Sequence, residues 1–155
     1  MNVTEKIFAL ALASNFNPQQ HFTFAFSQLC QRGEVKFSAI YQIPCRDGIG
    51  ATYWNSACLL YSDASVAEMM QWAKQLEQQS GRVRPSHQIS LDVDVIAWGS
   101  QLSNMQFNLK KMPLAQDVKI PMADLWQHAL FRDTVQGYPT IAWQSFLQMQ
   151  ALEVS

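Results

Sequence analysis

The sequence predicts an α+β protein with helices packed on an antiparallel sheet, followed by a C-terminal extension. Alternating or continuous apolar runs indicate strands, and apolar residues at helical spacing indicate helices between them. The chain has 155 residues, of which 48% are hydrophobic and 15% charged. This length matches one domain and this composition supports a buried core, so we expect residues 1–155 to form a single domain.

The first strand and helix are predicted at the N-terminus. Val3 to Ala13 is an apolar run typical of a buried strand, and it ends in a turn-rich cluster. Pro18 can open the following helix with Asn17 as its cap. Apolar residues then recur at helical spacing until Arg32-Gly33 closes the segment.

Two further strands and a second helix follow. Val35–Ile43 and Tyr53–Tyr61 alternate as strands do, and the loop between them contains two glycines. An amphipathic helix begins near Val66 and ends before Gly81, and Ile89–Trp98 is a last β-like run. The order strand, helix, strand, strand, helix, strand is the ferredoxin-like βαββαβ pattern.

The C-terminal third is harder to interpret because three prolines interrupt it. We expect one helix around Met122–Leu130 and another around Trp143–Leu152. No motif supports the segment after about residue 100.

Composition excludes several classes of partner. A net charge of −1 gives no general attraction to nucleic acid or to an anionic membrane. The apolar stretch Ile7–Ala13 is too short to span a bilayer. Cys30, Cys45 and Cys58 lie far apart without metal or disulfide spacing, which indicates reduced thiols. We therefore expect a cytoplasmic protein without a nucleic-acid or membrane partner.

Asp92 and Asp94 are candidate metal ligands. Side chains two apart in a strand point to the same face, so the two carboxylates lie side by side. Adjacent carboxylates repel one another unless a cation separates them, and Mg²⁺ accepts one or two carboxylates together with phosphates and water. The alternative is a solvated strand face without a ligand.

Two other segments carry candidate binding residues. Arg82 and Arg84 follow the second predicted helix and could hold phosphate through bidentate hydrogen bonds, although surface arginine pairs are common. Tyr53 and Asn55 share a strand face and could stack on and hydrogen-bond a flat heterocycle. The alternative is that they are an edge aromatic and a cross-strand polar residue.

Five segments in sequence order, spanning roughly residues 7 to 99, together resemble the hydroxymethyldihydropterin pyrophosphokinase family. They are similar to its "LGSN", "Y-x-T-x-P", "F/Y-x-N-A", "E-x-x-x-G-R-x-R" and "L-D-L-D-I-L" motifs. In this chain they are Ala11–Phe16, Tyr41–Pro44, Tyr53–Ala57, Glu77–Arg84 and Leu91–Ile96.

The resemblance implies a reaction and its participants. The family transfers the β,γ-pyrophosphate of ATP to the hydroxymethyl group of 6-hydroxymethyl-7,8-dihydropterin and releases AMP, on the way to folate. By position, Asp92 and Asp94 would hold two Mg²⁺ ions that bridge the ATP phosphates. Arg82 and Arg84 would be the catalytic residues, in a loop that closes over the nucleotide.

The resemblance also implies which residues bind the substrates. Asn55 would hydrogen-bond the pterin and Tyr53 would line its pocket. Ile43 and Glu77 belong to the matching motifs and are expected at the binding site, with Ile43 at the position of a threonine.

The sequence departs from the family pattern in its cations. The family's "R-W-G-P-R-T" loop is replaced by the shorter Pro85–Ser90, in which His87 is the sole substitute. The family's downstream histidine and arginine are absent, and Lys119 is the nearest cation. Each lost charge-assisted contact to phosphate is worth about 1.5–3 kcal/mol, so we expect weaker use of ATP.

Three functions therefore stay open. The chain is a pyrophosphokinase with a trimmed loop, an inactive relative that binds a pterin or nucleotide, or an unrelated ferredoxin-like interaction module.

Overall fold

The computed structural model describes residues 5–46, 48 and 50–147. Within them, seven strands form one sheet in which every pair is antiparallel. The strands are β1 (Lys6–Ser14), β2 (Val35–Phe37), β3 (Ile40–Ile43), β4 (Tyr53–Ser62), β5 (Asp92–Gly99), β6 (Gln106–Phe107) and β7 (Thr140–Ile141). The main helices are α1 (Pro18–Arg32), α2 (Val66–Gln79) and α3 (Gln116–Met122), and residues 143–147 are also helical. No helix in these ranges is long and apolar enough to cross a membrane.

The sheet confirms the predicted α+β class and the ferredoxin-like order. Its strands run β6-β5-β1-β4-β3-β7, and β2 also pairs with β4. The central strand β1 is buried on both faces, which explains why its sequence is continuously apolar rather than alternating. Phe8, Leu10 and Leu12 belong to one core, whereas Ala9 and Ala11 belong to the other.

A separate layer covers each face of the sheet. Helices α1 and α2 cover one face, with Phe22 and Met69 fully buried there. The segment between β5 and β7 covers the opposite face with Met122, Trp126 and Phe131. Beyond β7, Trp143 and Phe146 pack in the same core as α1 and α2. The segment between β5 and β7 is therefore a second layer of the fold, and it faces the part of the sheet that carries the candidate site residues.

The predicted strand Val35–Ile43 is divided into β2 and β3. Both halves pair with β4, but the register shifts by one residue between Phe37↔Cys58 and Tyr41↔Asn55. Ser38 lies at the break, where its Oγ accepts a hydrogen bond from the Ala57 N–H at 2.9 Å. The side chain thus replaces part of the ladder, as at a β-bulge.

The helix starts follow the predicted positions with one difference. Asn17 is the N-cap residue of α1 and Pro18 follows it, but Asn17 adopts the left-handed conformation (φ 47°) and its side chain makes no capping bond. Helix α2 begins with a capping box, in which Ser65 and Glu68 each accept a hydrogen bond from the other's backbone N–H.

The prediction of a helix at Met122–Leu130 is wrong. Helix α3 ends at Met122, and a short 3₁₀ turn at Ala129–Phe131 follows. Pro121 is one of the three prolines that interrupt this part of the sequence, and it lies in the last turn of α3, where its missing N–H removes just one helical hydrogen bond. The predicted helix Trp143–Leu152 does begin in the described residues, and its part beyond residue 147 lies outside them.

Candidate active site

The candidate site is built on adjacent strands of the sheet, on the face that α3 covers. In the antiparallel register, Ala13 of β1 pairs with Asp92 on one side and with Asn55 on the other. Val93 and Val95 alternate with the aspartates and belong to the opposite core. Because the β1 side chains between them are alanines, the acidic and amide groups face an open space rather than a packed core.

This space is a cavity of about 270 Å³, which we call the front cavity. Its polar lining comes from four parts of the chain: the loop after β3, the strands β4 and β5, and helix α3. The polar residues include Arg46, Tyr53, Asn55, Asp92, Asp94 and Asp117.

Asp92 lies in a partly buried, like-charged environment. Burial is the main cause that raises the pKa of its carboxyl, and the charge of Asp94 adds to it. Arg82 opposes both effects, since its Nε donates to Asp92 Oδ1 at 3.4 Å. A further positive charge between the two carboxylates would remove their repulsion.

Asp94 lines two clefts at once. Besides the front cavity, it borders a second cleft of about 290 Å³, which we call the cationic cleft. The basic residues that line this cleft are Lys74, Arg84, Lys110 and Lys111. Lys111 Nζ donates to Asp94 Oδ1 at 2.8 Å, and the two side chains are 40% and 35% exposed.

The two predicted arginines occupy different environments. The Arg82 side chain is 9% exposed and packs against Asp92, whereas that of Arg84 is 64% exposed on the wall of the cationic cleft. Arg84 Nη2 lies 4.0 Å from Asp92 Oδ1 and 3.5 Å from Glu77 Oε1. Arg84 can therefore contact a ligand that enters from solvent. Arg82 instead holds the carboxylate of Asp92, a candidate metal ligand.

Glu77 joins helix α2 to the strand of the aspartates. The Val93 N–H donates to Glu77 Oε2 at 2.8 Å. Burial is the main cause that raises the pKa of Glu77, and this hydrogen bond opposes it. Glu77 borders the cationic cleft, so it lies on the side of the strand away from Tyr53 and Asn55.

The segment that replaces the family's arginine-rich loop is held to the first turn of the chain. Asn15 Nδ2 donates to the His87 carbonyl at 2.8 Å, and Asn15 Oδ1 accepts from the Ile89 N–H at 2.6 Å. Ser14 Oγ also donates to the Ile89 carbonyl at 3.3 Å. These bonds give Ser14 and Asn15 a structural role beside the cavity.

Asn55 and Tyr53 both line the front cavity. Asn55 is almost fully buried, and its Nδ2 has no hydrogen-bond partner within the part of the chain that the structure describes. An unsatisfied buried donor is costly, so this amide suits a ligand with an acceptor. Burial raises the pKa of the Tyr53 phenol, and Cys45 and Asp92 add to the shift.

Ile43 pairs with Tyr53 in the register of β3 and β4 and is buried there. The described residues that line the front cavity do not include Ile43. Its position is therefore beside the site, in contact with the strand that carries Tyr53.

Arg46 and Asp117 close the front cavity opposite the aspartates. Arg46 Nε donates to Asp117 Oδ2 at 2.8 Å, and Arg46 Nη2 donates to Oδ1 at 2.7 Å, which is a bidentate pair. The Asp117 side chain is 13% exposed and that of Arg46 is 70% exposed. This pair joins the loop after β3 to the first turn of α3.

Sequence reasoning missed several of these residues. Of the chain's 11 lysines and arginines, five line the front cavity or the cationic cleft, although the net charge of the chain is −1. They are Arg46, Lys74, Arg84, Lys110 and Lys111, and Arg82 contacts Asp92 nearby. Lys110-Lys111, the one pair of consecutive basic residues in the sequence, was an available signal. Asp117 had none, because it lies in the third of the chain without a motif.

A family model of the 7,8-dihydro-6-hydroxymethylpterin-pyrophosphokinases matches residues 9–134, which include all eight residues predicted for the site. The chain belongs to this family. The match confirms the resemblance drawn from the five motifs and excludes an unrelated ferredoxin-like module. Among curated proteins, none matches the chain. Membership of the pyrophosphokinase family supports, in general terms, a pyrophosphokinase role in folate biosynthesis, and enzymes of this family depend on ATP and typically use Mg²⁺.

The donor set fits magnesium as this family uses it. No group of three or more His, Cys, Asp or Glu side chains among the described residues is arranged to hold a metal ion. Asp92 and Asp94 supply hard oxygen ligands in a solvent-accessible cavity, and Mg²⁺ accepts one or two carboxylates when water and phosphate oxygens complete its shell. The two aspartates therefore suit a metal ion that arrives with a nucleotide.

Proposed function

We propose that this protein transfers the β,γ-pyrophosphate of ATP to the hydroxymethyl oxygen of 6-hydroxymethyl-7,8-dihydropterin and releases AMP. The observation that carries the proposal is that Asp94 borders both the front cavity and the cationic cleft. The two substrates of this reaction have to bind next to each other, and Asp94 is a residue that both binding sites would share. The family match supports the coarser role, and we further propose that residues 1–155 act as one pyrophosphokinase-like domain.

The front cavity is proposed to bind the pterin. Tyr53 offers an aromatic face, and Asn55 Nδ2 is a buried donor without a partner in the described chain. Burial of the heterocycle against these groups would satisfy the amide. Ile43 would support Tyr53 from the neighbouring strand.

The cationic cleft is proposed to bind the ATP phosphates. Arg84, Lys110 and Lys111 border it and could hold phosphate oxygens through charge-assisted hydrogen bonds. Asp92 and Asp94 would hold Mg²⁺, which supplies charge neutralisation to the phosphates. Glu77 and Arg82 would keep the aspartates in position through their contacts with Val93 and Asp92.

The bond changes in this transfer are simple. The hydroxymethyl oxygen bonds to the β-phosphorus, the bond between that phosphorus and the α–β bridging oxygen breaks, and the hydroxyl proton passes to solvent. The protein needs no covalent nucleophile for this step, since positioning and charge stabilisation supply most of the rate in phosphoryl-type transfer. The clustered lysines would offset part of the loss of the family's arginines.

A second candidate function is a binding relative without turnover. Each aspartate already has a cation from the protein, Arg82 for Asp92 and Lys111 for Asp94. Such pairs lower the need for a metal ion, and they suit a protein that binds a pterin or nucleotide without catalysis.

The deciding experiment measures AMP from the purified protein with Mg²⁺, ATP and 6-hydroxymethyl-7,8-dihydropterin. The matched variant is Asp92→Asn/Asp94→Asn, which keeps side-chain volume and removes both charges. We expect pterin-dependent AMP that disappears in the variant while the thermal unfolding temperature stays within a few degrees. A folded wild-type protein that binds pterin but forms no AMP would replace the first proposal by the second.

A further inference from the structure

Arg46 donates to Asp117 with a pattern of hydrogen bonds that a bound ligand could also supply. The guanidinium presents two parallel N–H donors to the two oxygens of a carboxylate, at 2.8 and 2.7 Å. A 2-aminopyrimidin-4-one ring presents the same pair of donors through its N3–H and its 2-amino group. A carboxylate that accepts the two N–H donors of a guanidinium can also accept the two donors of this ring, because the geometry of the two donor pairs is alike.

The two partners differ in how firmly the cavity holds them. Asp117 is largely buried in the lining of the front cavity, whereas most of the Arg46 side chain is in solvent. Arg46 can leave by side-chain rotation into water, but Asp117 cannot. A buried carboxylate without a partner is costly, so whatever displaces Arg46 has to supply matching donors.

A third group in the same cavity has an unmet hydrogen bond. Asn55 Nδ2 is buried and without a partner in the described chain. A pyrimidinone ring carries its carbonyl oxygen next to the N3–H, so one ring can give donors to a carboxylate and an acceptor to an amide. The front cavity contains both complementary groups.

We propose that Asp117 determines specificity for the 2-amino-pyrimidinone edge of the pterin, and that Arg46 occupies that position until the ligand displaces it. The proposal rests on the proposed function for the identity of the ligand. It adds a recognition residue on α3 and an internal competitor in the loop after β3. Because Arg46 and the ligand would compete for Asp117, removal of the Arg46 side chain should raise the affinity for the ligand.

The test is a fluorescence titration of the full chain with 6-hydroxymethylpterin and with 6-hydroxymethyllumazine. In the lumazine a carbonyl replaces the 2-amino group and faces the carboxylate with an acceptor. Each titration is made without nucleotide and again with Mg²⁺ and α,β-methylene-ATP. We expect the wild type to bind the pterin about tenfold or more tightly than the lumazine, since the lumazine lacks the charge-assisted hydrogen bond from the 2-amino group to Asp117.

Three variants separate the contributions. Asp117→Asn should abolish the preference for pterin over lumazine. Arg46→Met should tighten pterin binding about 1.4- to 5-fold, the range expected when the exposed partner of a competing ion pair is removed. Asp124→Asn is the matched control, because Asp124 pairs with the Tyr41 hydroxyl at 2.8 Å and lies outside the described lining of the front cavity. It should leave both affinities unchanged.

Several results would overturn the inference. They are an undiminished pterin preference in Asp117→Asn, weaker pterin binding in Arg46→Met, or no detectable pterin binding by the wild type under either condition. AMP formation is measured separately. Asp117-dependent pterin binding without AMP would leave this inference standing and remove the proposed reaction, whereas AMP formation with an unchanged pterin KM in Asp117→Asn would do the reverse.

Discussion

Replacing Lys111 by methionine should raise the affinity of the site for a divalent metal ion. Lys111 Nζ lies 2.8 Å from Asp94 Oδ1, an oxygen that we propose as a metal ligand. The ammonium and the metal therefore compete for one carboxylate. Both side chains are more than a third exposed, and pairs of this kind are worth about 0.2–1 kcal/mol. At 1.4 kcal/mol per tenfold, the gain in affinity is about 1.4- to 5-fold.

The assay is a titration with Mn²⁺, followed by the electron paramagnetic resonance signal of the free ion, in the absence of nucleotide. Lys110→Met is the control, since it removes the same charge from the adjacent position without removing the ion pair with Asp94. The reasoning predicts a larger gain in Lys111→Met than in Lys110→Met. Equal gains in the two variants would mean that general electrostatics, rather than competition for Asp94, sets the affinity. A loss of Mn²⁺ affinity in Lys111→Met would refute the competition outright.

Two further predictions concern the core. Phe8→Ala should lower the free energy of unfolding by about 3–5 kcal/mol because Phe8 is fully buried, whereas Phe16→Ala at an exposed position should change it little. Urea denaturation of both variants measures these changes, and equal effects would contradict the assigned burial. Burial raises the pKa of the Cys58 thiol, so at pH 8 a thiol reagent should modify exposed Cys30 and should modify Cys58 only after unfolding. Rapid modification of Cys58 in the native protein would contradict this and would show that β4 opens.

The sequence predicted the first two-thirds of the fold because local patterns decide it. Apolar runs and helical spacing located β1, β4, β5, α1 and α2 to within a few residues. The division of the second strand was not predictable, since it depends on Ser38 bonding to Ala57 of a different strand. The helix at Gln116–Met122 was missed because Pro121 normally ends a helix, and here it occupies a last turn that tolerates it.

The candidate site divides in the same way. Asp92, Asp94, Tyr53 and Asn55 line one cavity, and strand alternation predicted that the two residues of each pair share a strand face. Asp117 could not be found, since it joins Arg46 across 71 residues of sequence and depends on how the C-terminal layer docks. A contact of that separation leaves no local periodicity to detect.

The margins of the sheet have a consequence for handling the protein at high concentration. Within the described residues, the outermost strands are β6 and β7, with two residues each, and β2, which pairs with β4, has three. Short marginal strands expose few unpaired backbone groups, so the long inner strands are not offered to another chain for edge-to-edge aggregation. Cutting the chain before Thr140 would uncover β3 and would also remove Trp143 and Phe146 from the core, so we expect such a truncated protein to self-associate more than the full chain.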